Sequence, residues 1–372
     1  MIPFLKFPKV QFDFGAIETL PKELSELGVT RPFYVTDQGL IKSGVFSMVY
    51  KVILTDAKSA VFDKTPENPT VEGVERALSV YRTEGCDGIV AVGGGSVIDT
   101  AKAVSLLARH AGPLQQYYGH PEKITPTIAP LIAVPTTAGT GSEASHGAGI
   151  HPDSTSRSAG IHSPYLVPRV AICDPNLTLS LPPRLTAATG MDALSHCVEG
   201  FLAKSVNPLL DAIALDGIQR TVAHLERAVT DTNDREARWH VMMAALEGGM
   251  SISKGLGPAH ALANTFGDRG FHHGTLVAMA LPGVLHIIEK YASNRMDQLA
   301  KAMALNSSQA VPYAIKTLVA RLGLPTSLRE LGYPDRDLDE MADDAANSHF
   351  NAMSPYHPTP AEYKAIIQDI MG

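Results

Sequence analysis

The sequence predicts an α/β N-terminal domain built on a parallel sheet, followed by an all-helical C-terminal domain. Three observations carry this. Short β-branched runs alternate with amphipathic helical stretches over about the first 180 of the 372 residues. A glycine turn, Gly93-Gly94-Gly95, stands directly between one such run and a helical pattern. Beyond Leu181-Pro182-Pro183 the β-branched runs give way to one long helical pattern after another.

Taken in order, Phe33-Tyr34-Val35-Thr36 reads as a buried strand, as do Ala60-Val61-Phe62 and Gly88-Ile89-Val90-Ala91-Val92. Apolar residues near a 3.6 period over 70–84 predict a crossover helix between the last two. Leu131-Ile132-Ala133-Val134 is a further strand, closed by Pro135. Strand, helix, strand in this order implies a parallel sheet covered on both faces. Helices are expected over 183–203, 208–229, 234–253 and 275–292. The domains are therefore 1–180, of a dinucleotide-binding α/β type, and 181–372, helical.

Composition excludes several classes of function. The formal net charge is −7, with no basic block, so neither nucleic acid nor an anionic membrane is an expected partner. The N-terminal segment lacks the apolar core of a signal peptide, and no apolar stretch is long enough to span a bilayer. Cys86, Cys173 and Cys197 are odd in number and far apart, which fits reduced thiols and a cytoplasmic location.

Three segments carry nucleotide chemistry. In Gly93-Gly94-Gly95-Ser96-Val97-Ile98-Asp99, glycines without a Cβ let backbone N–H groups approach a phosphate at a helix N-terminus. Gly94, Gly95, Ser96 and Asp99 are thus candidate cofactor contacts; the same letters also fit a capping box of Ser96 with Asp99. Asp37, at the end of an early strand, is placed to accept from a ribose 2′-hydroxyl and to repel a 2′-phosphate, favouring NAD over NADP. It is equally suited to cap the helix that follows. Pro135-Thr136-Thr137-Ala138-Gly139-Thr140-Gly141-Ser142-Glu143 offers the hydroxyls of Thr136, Thr137, Thr140 and Ser142, or simply a helix start rich in caps.

Asp192 and His196 are four apart in a helical pattern and share a face. His260 and His273 flank a segment rich in small and turn residues. One carboxylate and three neutral imidazoles suit Fe(II) or Zn(II), although so short a spacing also arises among unrelated core or surface groups.

Together these motifs resemble the iron-containing (group III) alcohol dehydrogenase family over essentially the whole chain. The carriers are Gly93-Gly94-Gly95-Ser96 with Asp99 and Lys102, the Pro135–Glu143 loop, Ala188-Thr189-Gly190-Met191-Asp192-Ala193-Leu194-Ser195-His196, Gly255-Leu256-Gly257-Pro258-Ala259-His260, and His273-Gly274. The resemblance implies a dehydroquinate synthase-like architecture, NAD and Fe(II) or Zn(II) as cofactors, and a homodimer. It assigns Asp192, His196, His260 and His273 as metal ligands, with His273 preferred to His272 because it directly precedes the glycine. Asp37 matches the NAD-selecting acid.

Lys254-Gly255-Leu256-Gly257 and Phe271-His272-His273-Gly274 resemble the 4-hydroxybutyrate dehydrogenase branch. There Lys254 would offer a cation to a substrate's distal carboxylate, phosphonate or sulfonate; its alternative is a solvated lysine at a helix end. Two positions depart from the family. Asn264 stands where many members carry a histidine, so either another group or water relays the proton, or Asn264 binds a polar substrate group. Arg157 stands near where a lysine often serves the cofactor phosphates. The implied activity is interconversion of a small primary alcohol and its aldehyde, with an anionic tail. The alternatives are a general short-chain alcohol dehydrogenase or lactaldehyde reductase, and a non-redox metalloenzyme on the same fold.

Overall fold

The computed structural model describes residues 6–53, 58–153, 156, 158–266, 270–334 and 336–372; Arg157 lies outside them. The described residues divide into two compact units, one covering 6–137 and Ser142–Ser180, the other covering Ala138–Gly141 and Leu181–Gly372.

In the first unit the elements run β1 (Lys9–Phe12), α1 (Leu20–Glu26), β2 (Pro32–Val35), α2 (Gln38–Ser43), α3 (Val45–Tyr50), β3 (Ala60–Phe62), α4 (Val71–Thr83), β4 (Gly88–Gly93), α5 (Gly95–Leu107), β5 (Leu131–Pro135), β6 (Gly147–Ile150), β7 (Ala159–His162) and β8 (Val170–Cys173). Among the described residues, six strands form one sheet in the order β1-β8-β5-β4-β2-β3, every pairing parallel. Successive side chains point to opposite faces of a strand. Phe33, Val35, Ile89, Ala91, Leu131 and Ala133 accordingly pack on one face with residues of α4 and α5. Tyr34, Val90, Val92, Ile132 and Val134 pack on the other with residues of α1 and α3. Both faces being covered is why these strands read as unbroken apolar runs.

The order of this sheet creates a crevice. From β2 the chain goes to β3 on one side, then returns to β4 on the other. Where strand order reverses in an open parallel sheet, the carboxyl ends of the two flanking strands open a binding cleft. β6 and β7, which sequence did not foretell, form a separate antiparallel pair.

The second unit is helical among the described residues: α6 (Pro183–Leu202), α7 (Pro208–Thr230), α8 (Arg235–Ser251), α9 (Pro258–Phe266), α10 (His273–Ile288), α11 (Ser293–Ala302), α12 (Val311–Arg321), α13 (Leu338–Ala346) and α14 (Pro360–Met371). Helix α6 is buried without interruption from Thr186 to Leu202 and packs on α7, α8 and α10. An amphipathic stripe is therefore absent from it, and its Asp192, His196 and Glu199 are held away from water. No helix of the described residues is long and apolar enough to cross a membrane.

Candidate active site

Sheet register gathers the nucleotide-type motifs. Val35 pairs with Ala91, so Asp37 and the glycine turn emerge side by side from β2 and β4. Gly93 pairs with Pro135, which brings Thr136 and Thr137 beside that same turn. Gly94 caps α5 in extended backbone, and a Cβ there would lie 3.2 Å from Thr137 Oγ1. A glycine is what allows the two loops to approach so closely.

Asp37 caps α2, its carboxylate accepting from Leu40 N at 2.9 Å, and remains half-buried. The capping box expected of Ser96 and Asp99 does not form. Helix α5 begins at Gly95, which places Ser96 inside the first turn, where its hydroxyl donates to the Glu67 carbonyl. Asp99 instead accepts from the Ser142 hydroxyl and, at 2.9 Å, from Gly149 N. Lys102, wholly buried, donates to Ser142 Oγ at 3.1 Å and to the Gly147 carbonyl at 2.6 Å. Burial pushes its ammonium down to about 8, against the pull of Asp99 and Glu143. Thr140 is half-buried in the four-residue piece that belongs to the helical unit.

In the helical unit four side chains converge. Asp192 and His196 come from one face of α6, His260 from the first turn of α9, and His273 from the first position of α10. The Nε2 atoms of His196 and His260 each lie 3.7 Å from Asp192 Oδ1, and that of His273 lies 3.8 Å away. The His196 and His260 rings stack with centroids 4.8 Å apart. Asp192, His196 and His260 are buried, whereas the His273 side chain is 41% exposed. Asp192 Oδ1 and His260 Nε2 have no hydrogen-bond partner among the described residues.

These distances are too long for hydrogen bonds. They are close to the roughly 3.5 Å expected between atoms that each sit about 2.1 Å from one ion in tetrahedral array. The donor set, one carboxylate oxygen and three imidazole nitrogens, suits Fe(II) or Zn(II). Asp192, His260 and His273 alone already bring ligand atoms within 4.8 Å of one another. The residues present therefore fit a divalent ion.

The far nitrogens of two rings are engaged by oxygen acceptors. His196 Nδ1 lies 3.3 Å from the Gly139 carbonyl, and His260 Nδ1 lies 2.6 Å from Glu199 Oε2. Burial opposes ionisation of Asp192, yet His196, His260 and His273 together hold its carboxyl well below the usual range. Burial alone would lower His260; the flanking Asp192 and Glu199 carboxylates outweigh it and raise the ring to about 9. His196 is lowered, with burial the largest cause.

Sequence reading missed Glu199. It lies seven residues after Asp192 and three after His196, on the same stripe of α6, and that spacing was the available signal. His272 stays outside the cluster at the position preceding α10. Asn264 lies one turn beyond His260 in α9 and is exposed.

The expectation of a free cation at Lys254 is corrected. Its side chain is buried, ion-paired with Asp211, and donates to the Phe201 carbonyl at 3.2 Å. Arg295 reaches Asp211 at 2.8 Å and the same carbonyl. Two cations and a carboxylate thus close the C-terminal end of α6, where carbonyls lack helical partners. Burial is the largest influence on Lys254 and lowers its affinity for a proton, while Asp211 opposes it.

With fold and cluster in view, comparison with known proteins places the chain. Residues 8–175 match the iron-containing alcohol dehydrogenase family and residues 186–371 match the Fe-containing alcohol dehydrogenase family, C-terminal. The chain belongs to the iron-containing alcohol dehydrogenase family and is an oxidoreductase. It is 43% identical to the 4-hydroxybutyrate dehydrogenase of Cupriavidus necator, across 97% of this chain and 98% of that one. The crystal structure of a 1,3-propanediol oxidoreductase superposes with a TM-score of 0.95 at 33% identity, covering 100% of both chains. That of sulfoacetaldehyde reductase from Bifidobacterium kashiwanohense, in complex with NAD+, gives 0.93 at 26%, covering 100% and 99%.

Proposed function

We propose that this chain is an NAD(H)-linked, metal-dependent oxidoreductase that interconverts a small primary alcohol and its aldehyde, with Asp192, His196, His260 and His273 holding Fe(II) or, alternatively, Zn(II). The observation that carries the reading is the meeting of three imidazole nitrogens within 3.7–3.8 Å of one buried carboxylate oxygen. When bound, such an ion draws electron density from the substrate oxygen and eases transfer of its proton. A bound nicotinamide would supply the hydride chemistry, leaving the protein to bind and orient it.

Within the first unit, backbone at Gly94, Gly95 and Ser96 receives the pyrophosphate at the N-terminus of α5. Asp37 accepts from the adenosine ribose and repels a 2′-phosphate. Thr136, Thr137 and Ser142 offer hydroxyls to the nicotinamide end, with Asp99 and Lys102 fixing Ser142; Thr140, in the helical unit, is a separate candidate hydroxyl. In the helical unit, the exposed Asn264 amide binds a polar substrate group; it exchanges no proton near neutral pH, so another group or water serves as the relay.

The substrate class proposed is an alcohol or aldehyde with an anionic tail, 4-hydroxybutyrate and succinate semialdehyde or a phosphonate or sulfonate analogue. Support comes from the 43% identity to a 4-hydroxybutyrate dehydrogenase and from the likeness to a sulfoacetaldehyde reductase. The ion pair of Lys254 with Asp211 favours a second reading, an uncharged short-chain alcohol, because that cation is already neutralised. A homodimer acting on a small molecule completes the proposal. The test is NADH formation or consumption by iron- or zinc-loaded protein across 4-hydroxybutyrate, succinate semialdehyde, their phosphono and sulfo counterparts, and neutral short-chain alcohols. Turnover confined to anionic members supports the first reading, and turnover confined to neutral members supports the second. No redox turnover with any of them contradicts both.

A further inference from the structure

Glu199 is 3% exposed, and both of its carboxylate oxygens are occupied by N–H donors. Oε2 accepts from His260 Nδ1 at 2.6 Å and from Gly257 N at 2.9 Å, while Oε1 accepts from Ala259 N at 2.7 Å. So engaged, it is no ligand itself. A side chain from α6 thus closes the N-terminus of α9, satisfying backbone donors that a helix start leaves free. The backbone is shaped around it: a Cβ on Gly257 would lie 2.7 Å from Glu199 Oε1. Glycine at 257 is therefore a requirement of the carboxylate, not of backbone conformation.

We propose that Glu199 is the positioning residue of the metal centre. By accepting the Nδ1 proton it orients His260 so that Nε2 faces Asp192 as the nitrogen an ion would take, and by holding Gly257 and Ala259 it sets where α9 places that ring. Its charge adds a second buried carboxylate beside that of Asp192, so that a divalent ion among neutral imidazoles leaves the pair of carboxylates balanced. A carboxylate behind a ligating imidazole orients the ring and raises its basicity. The inference rests on reading the four-residue cluster as a metal centre.

The test uses the full chain stripped of metal, with Zn2+ affinity measured by competition against a chromophoric chelator and with Co2+ visible absorption as the geometric probe. Wild type, Glu199→Gln, Glu199→Ala, Gly257→Ala and the ligand deletion Asp192→Asn are compared, with NADH binding by fluorescence as a control on the nucleotide unit. Glu199→Gln and Gly257→Ala are expected to weaken Zn2+ binding by about 10–100-fold and to alter the Co2+ spectrum, leaving NADH affinity unchanged. Gly257→Ala keeps the charge and moves the carboxylate, so it decides the matter if Glu199→Ala fails to fold. Wild-type Zn2+ affinity and an unchanged Co2+ spectrum in folded Glu199→Gln and Gly257→Ala overturn the proposal and leave Glu199 as a helix cap. Loss of the site in Asp192→Asn but not in the Glu199 variants separates that outcome from failure of the metal reading, which would appear as no Zn2+ binding by wild type.

Discussion

Asp192 Oδ1 and His260 Nε2 lie 3.7 Å apart, and neither has a hydrogen-bond partner among the described residues. An unpartnered buried polar atom costs about 1–3 kcal/mol, so the metal-stripped protein carries a penalty that an ion relieves. At a free ion concentration one hundred times Kd, binding contributes about 2.7 kcal/mol. The melting temperature of the stripped protein is expected to rise by about 3–4 °C on adding Zn2+ or Fe2+, read by calorimetry. No rise in wild type, or an equal rise in Asp192→Asn, contradicts the assignment.

Lys254 is buried and ion-paired with Asp211, and its substitution separates a structural role from a substrate-facing one. Lys254→Ala leaves Asp211 with Arg295 alone and removes one donor from the Phe201 carbonyl. The loss is expected to be about 1–3 kcal/mol of stability, seen in urea denaturation. The ratio of kcat/KM for anionic over neutral substrates should stay constant in this variant. A selective collapse for anionic substrates would restore the role first read from the sequence.

Asp37 carries two separable tasks, the cap on Leu40 N and the negative charge at the end of β2. Serine also caps helices well, so Asp37→Ser is expected to change stability by less than about 1 kcal/mol. It removes the charge that repels a 2′-phosphate, and KM for NADP+ should fall at least tenfold (an order-of-magnitude expectation for one charge–charge repulsion removed at this range). An unchanged NADP+ KM would leave Asp37 as a cap only.

His146 gives the stability of the first unit a pH dependence. Burial, helped by the charges of His162 and Lys102, pushes its ring down to about 4. Between that value and the ordinary 6.5 the unfolded chain binds a proton that the folded chain does not. Stability should therefore fall as pH drops from 6.5 toward 4, by at most about 1.4 kcal/mol per pH unit from this group. In denaturant titrations the stability of wild type should fall relative to that of His146→Phe as pH drops through this window. Parallel curves would show that His146 titrates normally.

How much was legible follows from where each determinant lies. The strands at 33–36, 60–62, 88–92 and 131–134 were readable because both faces of the sheet are covered and the runs are uniformly apolar. Strands β6 and β7 were not. Gly147-Ala148-Gly149-Ile150 has no strand composition, and it pairs where Gly149 N meets Asp99 from across the fold. Of the four converging side chains, Asp192 and His196 were legible because an i, i+4 pair on α6 is a local signal, and His260 and His273 through the family resemblance. Lys254 misled because its partner Asp211 is distant in sequence, so a buried ion pair looked like a free cation. Ser96 and Asp99 misled in a smaller way: the spacing fits a capping box, but the helix starts at Gly95 with Gly94 as its cap, two residues earlier than that box requires.

The proposed function requires one ion, held by Asp192, His196, His260 and His273, for nicotinamide-linked turnover. The most direct measurement is NADH oxidation with succinate semialdehyde by chelator-stripped protein, titrated with Fe2+ or Zn2+, alongside Asp192→Asn. No turnover is expected in the stripped protein, with recovery saturating at one ion per chain and no recovery in Asp192→Asn. Full turnover without metal, or equal recovery in Asp192→Asn, would contradict it.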